Sequence, residues 1–368
     1  MSQFIDITLI VFTVGYFIEF LWLRIGMKRA TDVPIKGEYE PTVSIIVAAR
    51  NEEHFIEQCL KSLTNVEYPL EKLEIIAVND HSTDKTGEIM ARLQSHFPQL
   101  HSVITNHEKE NLRGKTNAVT TGIDNSKGEI LMFTDADCTV PRTWVKDTVK
   151  YFTPETGIVG GFTLLNSRGT FEEVQTLDWI VLFGIASSTA GWNIPLTAIG
   201  NNLSVRRAAY DETGGYAEIP FSVTEDYALV QAILQKTKYR IRFPLDPLTA
   251  VVSNPCKSWH QLFHQKQRWG VGGLDMVTRG LVIMGIGWIL KFVLIVGLFA
   301  ATPAVWLGAL VLKIATDIFY LWRPLSELKA RKYLRSILFF EVYYILYVIA
   351  IPIVAMLSKK VVWKERSL

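Results

Sequence analysis

Cysteine is scarce: three residues in a chain of 368. Cys59, Cys138 and Cys256 are odd in number and widely spaced. They offer neither a disulfide framework nor a zinc-ligand spacing, and suit a reducing compartment. His260 and His264 stand four apart in "HQLFHQ", but the zincin pattern needs a glutamate where Gln261 stands. The pair reads as the polar face of an interfacial helix. An excess of one charge is also missing. Lys and Arg number 38 against 36 Asp and Glu, a net charge of +2, so nothing global points to nucleic acid. The amino terminus lacks a basic start and a small-residue cleavage site, so no cleaved signal peptide is expected.

Apolar length is abundant. "TLIVFTVGYFIEFLWLRIGM" (Thr8 to Met27) is long enough to cross a bilayer, with Glu19 its one acid. Three further runs follow near the carboxyl end: Gly280 to Ala301, Pro303 to Trp322 and Tyr333 to Leu357. Lys291, Lys313, Asp317 and Glu341 interrupt them and have to snorkel, pair or face protein. Basic residues set the orientation. Arg24, Lys28 and Arg29 follow the first run, and Arg323, Lys329, Arg331, Lys332 and Arg335 surround the loop before the last. If four segments cross, both clusters belong in the cytoplasm, with the long polar middle. The tail "SKKVVWKERSL" is basic too, yet four crossings would put it outside. Either the tail is an exception, or one segment is re-entrant or interfacial. The expected layout is an anchor over 1–30, a cytoplasmic α/β domain over 40–255 and an interfacial helix over 256–279. A membrane domain of about three helices over 280–358 and a basic tail over 359–368 complete it.

Within the middle, short apolar runs alternate with helix-like stretches. "TVSIIVAAR", "LEIIAVND", "LHSVITN" and "EILMFTDAD" are strand-length and nearly all apolar. The segments between them have helical spacing. Such alternation implies a mostly parallel sheet with helices on both faces, and ligands beyond the carboxyl ends of its strands. At those ends stand Arg50-Asn51-Glu52-Glu53, Asn79-Asp80-His81-Ser82 and Asp135-Ala136-Asp137. Asn51 or Ser82 as helix caps would explain single clusters. Capping does not explain why carboxylates gather along one edge. Asp135 and Asp137, two apart, share a side if the strand continues through both, and paired carboxylates want a cation.

"TVSIIVAARNEE", "VNDHSTDKT", "RGKTNAV", "FTDADC", "TED" and "QKQRW", in this order, resemble the family 2 glycosyltransferases with their GT-A nucleotide-sugar domain. The resemblance spans about Thr42 to Trp269. It implies that Glu52 and Asp80 contact the uridine of a UDP-sugar donor and that Lys115 lies in the donor-binding segment. Asp137, supported by Asp135, would hold Mg2+ or Mn2+ on the donor diphosphate. Asp226 matches the general base. Gln265, Arg268 and Trp269 match the QxxRW element that closes over donor and acceptor near the membrane. Asn79 departs from the family's usual acid, and Lys266 adds a charge inside the last motif, a candidate phosphate contact.

The layout resembles inverting enzymes that glycosylate membrane lipids such as ceramide or diacylglycerol. The competing expectation is a processive synthase of the cellulose, hyaluronan or poly-N-acetylglucosamine type. "LDWIVLFGIASSTAG" (Leu177 to Gly191) is too short to span. It reads either as a core helix or as an interfacial helix lining the acceptor entrance. "SWHQLFHQKQRWGVGGL" mixes aromatic and basic residues as an in-plane membrane helix does.

Overall fold

The computed structural model describes residues 2–32, 37, 39–108, 112–273, 278–357, 362–363 and 366–367. Much of the basic tail therefore lies outside the described residues. The chain begins with α1 (Ser2–Thr31), then β1 (Val43–Ala49), α2 (Ile56–Thr64), β2 (Leu73–Asn79), α3 (Thr86–Gln94) and β3 (Leu100–Ile104). Next come α4 (Gly114–Asp124), β4 (Ile130–Asp135), α5 (Trp144–Val149), β5 (Thr156–Gly160), β6 (Thr163–Leu165) and α6 (Thr170–Gly191). β7 (Leu203–Arg206), α7 (Arg207–Glu212), α8 (Glu225–Lys236), β8 (Arg240–Arg242) and β9 (Val251–Ser253) follow. The last helices are α9 (Trp259–Gly273), α10 (Thr278–Ala300), α11 (Pro303–Glu327) and α12 (Ile337–Leu357).

These elements form two compact units. One comprises 30–166, 197–254 and 362–368; the other comprises 1–29, 167–196 and 255–361. The first is built on a seven-stranded sheet of order β3-β2-β1-β4-β7-β5-β8. β1 pairs in parallel with β2 and β4, and β2 with β3, whereas β7 runs antiparallel to β4 and β5. β1 is buried along almost its whole length, which is why its sequence is continuously apolar rather than alternating. One face is covered by α2, whose Ile56, Cys59, Leu60 and Leu63 follow helical spacing into a core with Ile45, Val47, Ile75 and Met132. α4 covers the other face so closely that a Cβ on Gly122 would lie 2.5 Å from Ile46 Cγ2. This is the expected GT-A sheet.

The second unit is helical. α1, α11, α12 and the stretch from Ile283 to Ala300 are long and apolar enough to cross a membrane. Their interrupting charges turn inward: Lys291 donates to Gly287 O (3.2 Å) and lies over the Tyr16 ring, and Lys313, Asp317 and Glu341 pair. Lys313 bonds Asp317 (2.7 Å) and Glu341, and Tyr16 donates to Asp317 (2.6 Å). α6 belongs to this unit, so the stretch 40–255 expected as one domain is interrupted over 167–196. The helix is longer than Leu177 to Gly191 and mostly buried. Its Glu173 pairs with Arg335, and its Ser188 lies 3.0 Å from the Tyr320 hydroxyl. Those partners lie over a hundred residues away, beyond the reach of local patterning.

Candidate active site

The parallel register brings Ala49 level with Asn79, and Ala48 level with Asp135. The chain segments leaving β1, β2 and β4 therefore emerge side by side. Asn51 and Ser82 do not cap helices. Asn51, with φ of 53°, donates its N–H to Ser82 Oγ (3.1 Å) and accepts from Thr83 N on its side-chain oxygen (2.9 Å). Glu52 N donates to Thr86 Oγ1 (2.8 Å), and Glu53 N to Asp84 Oδ2 (3.0 Å). Asn79, in place of the usual acid, accepts from Ser82 N (3.0 Å). Two loops are laced together, and between them the buried Asp80 donates its N–H to Ala49 O (2.9 Å). Arg50 Nη1 donates to the Asp80 carbonyl (2.8 Å).

Asp135 ends β4, but Asp137 lies in the turn beyond it, where Cys138 N donates to Asp135 O (3.0 Å). Strand alternation therefore does not bring the two acids together; the turn does. Ser253 Oγ donates to Asp137 Oδ2 (3.2 Å) and Asn254 Nδ2 to its carbonyl (3.1 Å). Burial, then the Asp135 and Glu52 carboxylates, push the Asp137 carboxyl up to about 6. Asp137 is thus crowded by two other acids. The donors are oxygens alone, as a hard divalent ion requires. Among the described residues no group of three or more His, Cys, Asp or Glu is arranged to hold a metal. An ion here would need further oxygens from a ligand, the usual arrangement for Mg2+ on a diphosphate.

Lys115, in the first turn of α4, bonds Asp135 Oδ1 at 2.8 Å and Glu225 Oε1 at 3.1 Å. Burial lowers its pKa, but the two carboxylates outweigh burial and hold the ammonium charged. Asp226 follows Glu225 in the first turn of α8. Its Oδ2 accepts from Gly200 N (2.6 Å) and its Oδ1 from Tyr227 N (2.8 Å). Gly200 is placed by its neighbours: Thr134 Oγ1 of β4 donates to Asn201 O (3.0 Å), and Trp144 Nε1 to Asn202 Oδ1 (3.0 Å). Burial and Glu225 raise the Asp226 carboxyl, partly offset by Lys115 and the two N–H donors, to about 6. Thr224 precedes α8 without a side-chain cap bond.

One unit therefore holds Glu52, Asp80, Lys115, Asp135, Asp137 and Asp226. Sequence reasoning missed Ser253, Asn254 and the Gly200–Asn202 turn as supports. Their only signal was a polar pair closing the short run "VVSN", and a Gly-Asn-Asn triplet. Gln265, Arg268 and Trp269 lie on α9, in the other unit. There Trp269 packs against Trp179 of α6 (centroids 5.6 Å apart), and Gln265 Oε1 is buried with no hydrogen-bond partner among the described residues. Lys266 does not point to a phosphate site. It is buried against Asp178 of α6, with its ammonium 4.1 Å from the Trp269 ring centroid.

Residues 44–224 match the family model described as glycosyl transferase family 2. A beta-monoglucosyldiacylglycerol synthase from Nostoc is 30% identical over 241 residues, 63% of this chain and 49% of that protein. A poly-beta-1,6-N-acetyl-D-glucosamine synthase from Staphylococcus aureus is 26% identical over 260 residues, 70% of this chain and 60% of that protein. The chain thus spans about half the length of the curated relatives it matches. A mannosyltransferase from Pyrobaculum calidifontis, solved in complex with GDP-Man and Mn2+, has a TM-score of 0.59 at 21% identity. That likeness covers 92% of this chain and 99% of the other, and shows a shared fold. With its strand-end acids on a GT-A sheet and its family match over the same residues, this chain belongs to family 2 of the glycosyltransferases.

Proposed function

We propose that this protein is a metal-dependent inverting glycosyltransferase that moves a sugar from a UDP-sugar to a membrane lipid at the cytoplasmic face. The observation that carries the reading is Asp226. It is a carboxylate held by two backbone N–H groups beside the Lys115–Glu225–Asp135 cluster, with a pKa near 6. Such a group is ionised at neutral pH and still basic enough to take a proton.

In this reading the acceptor hydroxyl gives its proton to Asp226 as its oxygen bonds the anomeric carbon. The bond from that carbon to the diphosphate oxygen breaks, and its electron pair leaves with UDP. One displacement from the opposite face inverts the centre, so an α-linked donor gives a β-linked product. Glu52 and Asp80 hold the uridine. Asp135 and Asp137 would hold Mg2+ or Mn2+, which supplies positive charge to the departing diphosphate. Lys115 fixes Asp135 and Glu225, so the acids keep their places when the site is empty. Gln265, Arg268 and Trp269 are assigned to donor and acceptor from the QxxRW motif, and the unpartnered Gln265 oxygen supports a ligand contact there.

The lipid acceptor is supported by the diacylglycerol glucosyltransferase relative and by the apolar helices. A processive synthase is the second reading, favoured by the match to the poly-N-acetylglucosamine synthase. The test incubates purified protein with a panel of UDP-sugars, Mn2+ and a bacterial lipid extract, then analyses products by mass spectrometry. A lipid gaining a hexose mass is the expected result. Release of UDP with no glycosylated lipid would refute the lipid acceptor.

A further inference from the structure

By length and composition α12 is a fourth membrane crossing. Its neighbours contradict this. α12 runs beside α9 and in the same direction. Trp259 faces Tyr343 with centroids 6.3 Å apart, and Lys266 lies 5.1 Å from the Tyr347 ring centroid. Gly270 meets Ile351 and Ala355, so closely that a Cβ would lie 2.5 Å from Ile351 Cγ2. α9 is a polar helix, with His260, Gln261, His264, Gln267 and Arg268 among its residues, and cannot occupy hydrocarbon along its length.

The other flank of α12 is α6, where Tyr343 donates to Asp178 Oδ2 (3.2 Å). The chain on both sides of α6, at 166 and 197, belongs to the sheet unit. A single helix that crossed would leave its two ends on opposite faces of the bilayer. Tyr344 still faces the bundle, its ring centroid 5.0 Å from Lys291 Nζ of α10, but the turns of α12 from Tyr347 to Ala355 follow a helix that stays on one side, next to another that does the same. Its first turns reach the bundle, where Glu341 bonds Lys313 in the middle of α11. From there α12 continues along α9.

Charge points the same way. The tail sequence carries Lys359, Lys360, Lys364 and Arg366 against one acid, Glu365. Four crossings would separate them from the other basic clusters, whereas three crossings put every cluster on one side. The exposed apolar residues of α12, Leu338, Phe339, Val342, Leu346, Ile353, Met356 and Leu357, form one helical stripe that lies against lipid in this placement.

We propose that α12 does not cross the bilayer. It lies in the membrane surface beside α9, so the chain crosses three times and its tail returns to the side that carries residues 32–258. The test uses full-length protein with Cys256→Ser, in which Thr302→Cys, Lys332→Cys and Ser367→Cys are introduced one at a time. A membrane-impermeant maleimide is applied to intact spheroplasts and to permeabilised ones. Ser367→Cys is expected to label as Lys332→Cys does, only after permeabilisation, while Thr302→Cys labels in intact cells. Labelling of Ser367→Cys in intact cells would overturn the proposal. A second measurement needs no substitution. Green fluorescent protein fused after Leu368 should fluoresce and alkaline phosphatase fused there should be inactive; the reverse pattern also overturns it.

Discussion

Asp226 sits under opposed influences. Burial and Glu225 disfavour its charge, while Lys115 and two N–H groups favour it. A base works only when ionised, and a carboxyl raised to about 6 loses its charge as the pH falls through that value. Turnover at saturating donor and metal should therefore drop about tenfold per unit below pH 6, as for a single required base. The residual activity of Asp226→Asn should lack that limb. Asp226→Asn should also lower turnover at least roughly a hundredfold, the scale of a lost acid–base group. Both carboxylate oxygens accept N–H bonds, so the amide of Asn must turn an NH2 toward a donor. A stability loss of about 1–3 kcal/mol should accompany the kinetic loss, read by thermal unfolding. Near-normal turnover would remove Asp226 from the mechanism. At Asp137 the expected split is different. Asp137→Ala should abolish turnover and weaken UDP binding in Mn2+, measured by calorimetry, because it removes the acid most crowded by Asp135 and Glu52. Full activity in this variant, or in excess EDTA, would make these acids only a turn.

The strands of the sheet were legible because each is a short apolar run ending in polar residues, and parallel burial on both faces demands that pattern. Reading Asp135 and Asp137 as strand neighbours was less successful. A strand's end depends on where its pairing partner stops, and β1 pairs no further than Asp135. α6 was the element least legible. Its apolar stretch suits a core or a membrane surface equally, and only its distant partners on α11 and α12 decide between them. The same packing explains Lys266. α9 is anchored to α6 by a buried Lys266–Asp178 pair, with side chains 3% and 5% exposed. Removing one partner strands the other charge in the interior, which costs about 3–5 kcal/mol, whereas replacing both by apolar residues is often neutral. Lys266→Met and Asp178→Leu should each lower the unfolding temperature sharply, and the double variant should recover most of it. An additive loss in the double variant would show that the pair is not the anchor.

At the scale of the whole molecule, the open question is how many sugars are added before the product leaves. The helical unit bears on this through what fills it. Lys313, Tyr16, Tyr320, Phe340, Leu9 and Leu23 are almost wholly buried, and Lys313 is neutralised by Asp317 and Glu341 rather than left to meet a sugar chain. A polymer channel is lined by groups that solvent or saccharide can reach, whereas these side chains are shielded from solvent. Among the described residues the centre of this unit is taken up by buried side chains, and its apolar outer surface fits the proposed acceptor that arrives through lipid. The product should therefore partition into organic solvent and carry one or a few sugars. The mass distribution should not lengthen when the ratio of donor to acceptor is raised about a hundredfold, a change that takes a processive enzyme to long chains. Recovery of a long water-soluble polysaccharide from detergent-purified protein would decide for the synthase. It would also require that the polymer leave by a path outside this bundle, for instance between copies of the chain.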